Sequence, residues 1–159
     1  MATFVHIADE RKLNLIQKNG LKLNRRHNGE KGLYCFPVLK DFSLSHQWAR
    51  ELRRTGIKNY ICIQFTIDDD EIVEIGKYNE DKILRTANEA INTVMNHSYP
   101  LGLEVIILKK VLPKQISRIY PSPKLTGWRY YPEAKGRKPF CNCKYCNRGQ
   151  IKAQRLIIE

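Results

Sequence analysis

The sequence predicts an α+β fold built on a largely antiparallel or split sheet, and three observations carry that expectation. Short runs such as 60–67 and 103–108 alternate with the period of strands. Two other stretches place apolar residues at helical spacing: Leu44, Trp48 and Leu52, then Ile83, Ala87, Ala90, Ile91 and Val94. The elements also arrive in mixed order, roughly β-α-β-α-β-β-α-β-β-β.

Residues 3–7 make the first strand, with Phe4 and His6 on one face and Val5 and Ile7 on the other. Asp9 reads as the N-cap of a helix over 10–19, which Asn19-Gly20 stops. Residues 25–31 form a polar loop around Asn28-Gly29, and 33–38 a second strand. The Leu44, Trp48, Leu52 stripe then gives an amphipathic helix that ends at Thr55-Gly56, with Arg50, Arg53 and Arg54 directed elsewhere. A strand at 60–67 and another at 71–75 flank the acidic turn 68–70. The third helix carries the stripe from Ile83 to Val94 until Pro100 and Gly102 break it. A strongly apolar strand at 103–108 is interrupted by one charge, Glu104. Residues 116–120 and 127–131 give two more strands before a tail containing proline and cysteine.

At 159 residues, with 42% hydrophobic and 28% charged side chains, the chain has the composition of an ordinary globular protein. One domain with a core that needs no disulfide staples is expected at this length. No apolar run approaches the roughly 18 residues of a membrane span, and no basic-then-apolar leader opens the chain. These features lead to the expectation of a soluble, cytoplasmic protein with no membrane partner.

The net charge of +12 is concentrated at one end. Residues 1–108 hold 15 cations and 14 anions, whereas 109–159 hold 13 cations and two anions, a net of +11. That last third also carries Tyr120, Trp128, Tyr130, Tyr131, Phe140 and Tyr145. Cations that meet phosphates, mixed with aromatic faces that stack on unpaired bases, suit a single-stranded nucleic acid. Lys135, Arg137, Lys138, Lys144, Arg148 and Lys152 are the candidate contacts. A solvated basic face over core aromatics, or a surface meeting an acidic protein, accounts for the same pattern.

Glu104 stands out without any family knowledge. A buried, unpaired carboxylate costs several kcal/mol, so a carboxylate in an apolar strand marks either a sheet edge or a site, and periodicity alone favours the edge. His6 in its strand reads first as a hydrogen-bonded core residue, and Tyr34 and Phe36 read first as core aromatics.

Taken in order, these segments resemble the ADP-ribosyltransferase superfamily of the diphtheria-toxin and poly(ADP-ribose) polymerase type. Phe4-Val-His-Ile-Ala-Asp9 and the helix before Asn19-Gly20-Leu21 resemble the opening strand and helix of that fold. Lys31-Gly-Leu-Tyr-Cys-Phe36 resembles the family's Gly-aliphatic-Tyr-Phe strand, with Ser43 and Ser45 following. Leu103-Glu-Val-Ile-Ile-Leu108 resembles the late strand that carries the catalytic glutamate. Val111-Leu-Pro-Lys-Gln-Ile116 is similar to bacterial toxins that ADP-ribosylate DNA. The resemblance spans about residues 3–120, with 121–159 as a basic, aromatic, cysteine-rich extension packed on the same domain. RNA 2′-phosphotransferases share the fold but normally lack this glutamate.

The resemblance implies transfer of ADP-ribose from NAD⁺ to RNA or single-stranded DNA, as in bacterial toxin–antitoxin or phage-defence systems. A neutralising antitoxin or hydrolase would then be a partner. It implies that Glu104 bonds the ribose 2′-hydroxyl and stabilises the positive charge that develops as nicotinamide leaves. Tyr34 would stack on nicotinamide, and His6 would hold the adenosine-side ribose. Backbone near His6 and Gly32 would grip the carboxamide, with Ser43 assisting. The family's second tyrosine has no counterpart in the region of Ser45, His46 and Trp48, where His46 is the candidate. Gly102, two residues before Glu104, leaves the acceptor open, so protein-directed transfer and a non-catalytic nucleic-acid-binding module stand as alternatives.

Cys35 and Cys62, in apolar strands, read as buried reduced thiols. Cys141, Cys143 and Cys146 lie within six residues among cations, and Cys143-x-x-Cys146 has the spacing of half a structural zinc site. Cys35, His27, His97 or another chain would supply the fourth ligand; unligated or redox-active thiols are the alternative.

Overall fold

Eight strands, two helices and two 3₁₀ turns follow one another along the part of the chain that the computed structural model describes, residues 1–38, 59–78, 80–98 and 102–122 together with Trp48, Leu52, Ile57 and Pro100. The strands are β1 (Ala2–Asp9), β2 (Asn24–Arg25), β3 (Lys31–Pro37), β4 (Tyr60–Ile67), β5 (Ile72–Lys77), β6 (Ile83–Thr86), β7 (Leu103–Ile107) and β8 (Ile116–Pro121). The helices are α1 (Leu13–Asn19) and α2 (Ala87–Asn96). Every strand pairing is antiparallel, in the order β6-β5-β7-β3-β1-β4-β8, with β2 also paired to β3. The α+β class and the antiparallel sheet therefore agree with the sequence.

Side-chain alternation explains the layers. One face of the central strands carries Val73, Ile75, Val105, Ile107 and Leu33, all buried, and α2 adds Ala87, Ala90 and Val94 to the core. Each such Val, Ile, Leu or Phe contributes about 1.5–3 kcal/mol on leaving water. The opposite face of the same strands carries Glu74, Glu104 and Tyr34, which makes it the polar face of the sheet.

β1 is laced to β4 along all eight residues, from Ala2↔Ile67 to Asp9↔Tyr60. It meets β3 only at Phe4↔Pro37 and Val5↔Phe36. Beyond Val5 the two strands part, and the start of β3 pairs instead with Asn24 and Arg25 of β2. This is the split in the sheet.

Local sequence sets the turns. Asp9 accepts from the Arg11 backbone N–H at 3.0 Å and caps a 3₁₀ turn, Glu10–Lys12, so α1 starts three residues later than expected. Gly20 ends α1 with φ of 73°, and a Cβ there would lie 2.0 Å from the Val111 carbonyl oxygen. Thr86 and Glu89 form a capping box that starts α2 at Ala87.

Three expectations are corrected. Ile83 does not belong to the helical stripe; it begins β6, pairs with Ile75 and is exposed. The 25–31 loop begins as a short strand, β2, that extends the ladder to Lys31. Glu104 is not on an edge, because β7 runs between β3 and β5. Ser43, Ser45, His46 and most of the 44–52 helix lie outside the described residues, although Trp48 and Leu52 are helical. The 127–131 strand and the rest of 123–159 lie outside them as well.

Candidate active site

Register brings the singled-out residues together. Tyr34 of β3 sits opposite Ile106 of β7, and Ile106 sits opposite Glu74 of β5. One step along, Glu104 sits opposite Gly76. Period-two alternation puts Gly32 and Tyr34, Glu104 and Ile106, and Glu74 and Gly76 on one face of three neighbouring strands, with Tyr78 in the turn just past β5.

His6 occupies the split. Where β1 and β3 part, its Nδ1 lies 2.8 Å from the Tyr34 carbonyl oxygen. A carbonyl only accepts, so Nδ1 carries the proton, and in the neutral ring Nε2 is left as an acceptor. Burial pushes the imidazole below its ordinary value, against the bond to Tyr34. The ring is therefore neutral and of one tautomer at physiological pH, suited to accept from a hydroxyl.

Two clefts meet at Tyr34, Tyr78 and Glu104. One, of about 370 Å³, opens at the split and is largely apolar, with His6, Phe36, Trp48 and Leu52 in its wall. The other, of about 420 Å³, is polar, with Arg26, Glu30, Glu74, Glu80, Asp81 and Lys82 around it. Both volumes fall within the range of small-molecule sites. Tyr34 and Tyr78 are each 41% exposed, so their rings are accessible rather than core as strand aromatics usually are. Trp48 backs Tyr78, with ring centroids 6.1 Å apart, and its Nε1–H donates to the Leu103 carbonyl at 3.2 Å.

Glu104 is buried and forms an ion pair with Lys82, with Nζ 3.0 Å from Oε1. Burial raises its carboxyl above the ordinary value, and Lys82 and, less strongly, Arg26 oppose that rise. The Tyr34 hydroxyl is also raised, first by burial and then by the charge of Glu104. The Arg26 side chain is only 6% exposed and grips both Glu74 and Glu30. Gly32 pairs with Asn24, and a Cβ there would lie 2.4 Å from Ile106 Cγ2 and 3.2 Å from Arg26 Cδ. Its lack of a side chain lets Arg26 and Ile106 close over β3.

His6, Tyr34 and Glu104 thus line one cleft, and Gly32 lies on the polar face beside Tyr34. Lys82, Tyr78, Arg26 and Glu74 are site residues that local sequence reading missed. β5 runs on to Lys77, past the end of the expected 71–75 strand, and delivers Tyr78 in the turn that follows. Ser43, His46, Lys135, Arg137, Lys138, Lys144, Arg148, Lys152, Cys141, Cys143 and Cys146 lie outside the described residues. Cys35 and Cys62 are buried free thiols, and burial holds the Cys35 thiol well above its ordinary value. Among the described residues no group of three or more His, Cys, Asp or Glu converges as a metal site, and no helix is long and apolar enough to cross a membrane. No family model matches the chain, and neither does any curated protein or solved structure.

Proposed function

We propose that this protein is a mono-ADP-ribosyltransferase that transfers ADP-ribose from NAD⁺ to a single-stranded nucleic acid. The observation that carries the reading is the meeting of two clefts at Glu104, flanked by the accessible rings of Tyr34 and Tyr78. A transfer reaction needs a donor and an acceptor to reach one reacting carbon from different sides. The apolar cleft suits the flat, weakly solvated nicotinamide and the sugar beside it; the polar cleft is the approach for the acceptor.

In this reading Tyr34 and Tyr78 would stack on nicotinamide. His6 Nε2 would accept from a ribose hydroxyl, its tautomer fixed by the Tyr34 carbonyl. The bond between nicotinamide and C1′ of the ribose breaks, and the electron pair leaves with nicotinamide. Glu104 would accept from the 2′-hydroxyl and stabilise the cationic sugar, and the acceptor then bonds to C1′ and releases its proton. The net charge of +11 in 109–159 is the reason to place a nucleic acid as acceptor. An enzyme that modifies nucleic acid in its own cell would need a restraining partner, an antitoxin in the sense of the resemblance.

A second reading, transfer to protein, is favoured by one observation. Glu30, Glu74, Glu80 and Asp81 line the polar cleft, and a cluster of carboxylates attracts a cationic side chain and repels phosphate. Labelled NAD⁺ supplied to the full chain with RNA, single-stranded DNA and cell protein in parallel separates the two. Label on nucleic acid is the expected result; label only on protein replaces the first reading by the second.

A further inference from the structure

Lys82 reaches Glu104 by a route that depends on one glycine. It lies just before β6, and its side chain passes over β5 at Gly76, where a Cβ would stand 2.8 Å from Lys82 Cδ and 2.8 Å from the Asp81 carbonyl oxygen. Gly76 is the residue directly opposite Glu104 in the ladder. The ammonium therefore arrives at Glu104 Oε1 at 3.0 Å, and it also donates to the carbonyls of Lys77 at 2.7 Å and Glu80 at 2.9 Å. An ammonium has three protons, and all three are used. The pair is nearly out of water, with Lys82 13% and Glu104 9% exposed.

We infer that Lys82 is a positioning residue that clamps the Glu104 carboxylate to the turn between β5 and β6. Among the described residues the clamp is on Oε1, and Oε2 is the oxygen assigned to a substrate hydroxyl. It also ties down the turn that presents Tyr78, whose backbone N–H donates to the Gly102 carbonyl at 2.8 Å. A carboxylate buried this far would take a proton without a partner and lose the charge a cationic transition state requires. The Lys82 ammonium opposes the rise that burial imposes on the Glu104 carboxyl, and Arg26 assists from farther away. The geometry stands alone, while its catalytic meaning rests on the proposed ADP-ribosyl transfer.

The test follows the Glu104 carboxyl carbon by ¹³C NMR across pH in glutamate-labelled full chain, with Glu104→Gln fixing the assignment. Wild type is compared with Lys82→Met and with Lys82→Gln, which keeps donors for the turn carbonyls but carries no charge. In both variants the Glu104 midpoint is expected to rise by about one pH unit or more, a tenfold change in its protonation equilibrium. The acid limb of NAD⁺ cleavage moves by the same amount, with turnover recovered at alkaline pH. An unmoved Glu104 midpoint overturns the assignment. Loss of the fold in both variants overturns it too, because Lys82 then only holds the structure. The NMR arm needs no turnover. A wild type that cleaves no NAD⁺ while Glu104 still shifts refutes the proposed reaction and leaves the Lys82 assignment standing.

Discussion

The His6 imidazole spans the gap between β1 and β3, its Nδ1–H donating to the Tyr34 carbonyl at 2.8 Å where the strands no longer pair. A side chain thus satisfies a backbone acceptor left over by the split, and the same bond fixes the tautomer that faces the cleft. Splitting a sheet leaves such groups unpaired, and an unpaired buried acceptor costs about 1–3 kcal/mol.

His6→Ala is expected to lose about 1–3 kcal/mol of stability and to weaken NAD⁺ binding. The pH dependence follows from the lowered imidazole value. The unfolded chain binds the proton more readily, so the contribution of His6 is complete above the ordinary histidine range. It is lost as pH falls from that range through the lowered folded value. Thermal unfolding at successive pH values checks this: the wild type should soften across that window, and His6→Ala should lack this component.

Gly32→Ala places a methyl group 2.4 Å from Ile106 Cγ2. Overpacking of this kind costs about 1–3 kcal/mol. Ile106→Ala removes the clashing atom at its own cost, so the double variant should lose less stability than the two single losses added together. Additive losses in denaturant unfolding would show that the two residues are not in conflict.

Tyr78→Phe should retain NAD⁺ cleavage, because the ring face does the stacking. Tyr78→Ala should raise KM for NAD⁺ by about tenfold, the equivalent of one stacking contact. Steady-state kinetics of the two variants separates the ring from its hydroxyl. Equal behaviour of Phe and Ala would remove Tyr78 from the donor site.

Much of the fold was legible locally. The observed bounds of β4 are those the sequence predicts, because Tyr60–Ile67 alternates cleanly between two turns. Ile83 stands four residues before Ala87 and so fits a helical stripe, but the Thr86–Glu89 capping box is the stronger signal and starts the helix after it. β2, at two residues, is too short to show any period. The site was legible only in part. His6, Tyr34 and Glu104 stand out together only through a motif resemblance, and alternation does not say which strand is central, so periodicity alone favours an edge for Glu104 where the sheet puts β7 inside. Lys82 carries no local mark at all. Its role comes from the β5–β7 register, which sets a glycine opposite a carboxylate.

Replacing Lys135, Arg137, Lys138, Lys144, Arg148 and Lys152 by alanine should weaken binding to a single-stranded oligonucleotide. If all six meet phosphates, the slope of log K against log salt should flatten by about 4, at roughly 0.7 per contact. Fluorescence anisotropy across a salt series measures it. An unchanged slope would take this stretch out of the interface.

The most direct measurement compares nicotinamide release from NAD⁺ by the wild type and by Glu104→Gln, with RNA and single-stranded DNA present. Because burial raises the Glu104 carboxyl, this group favours the fold below the ordinary carboxylate range, and that contribution is lost as pH rises through the raised value. The amide keeps an oxygen that can accept from Lys82 and should remove this part of the pH dependence of unfolding, so thermal unfolding of the variant checks that an inactive protein is folded. Release by the wild type is expected, with a loss of about 10²–10³-fold or more in Glu104→Gln. Equal release by the two proteins, or none by the wild type with any acceptor, would contradict it.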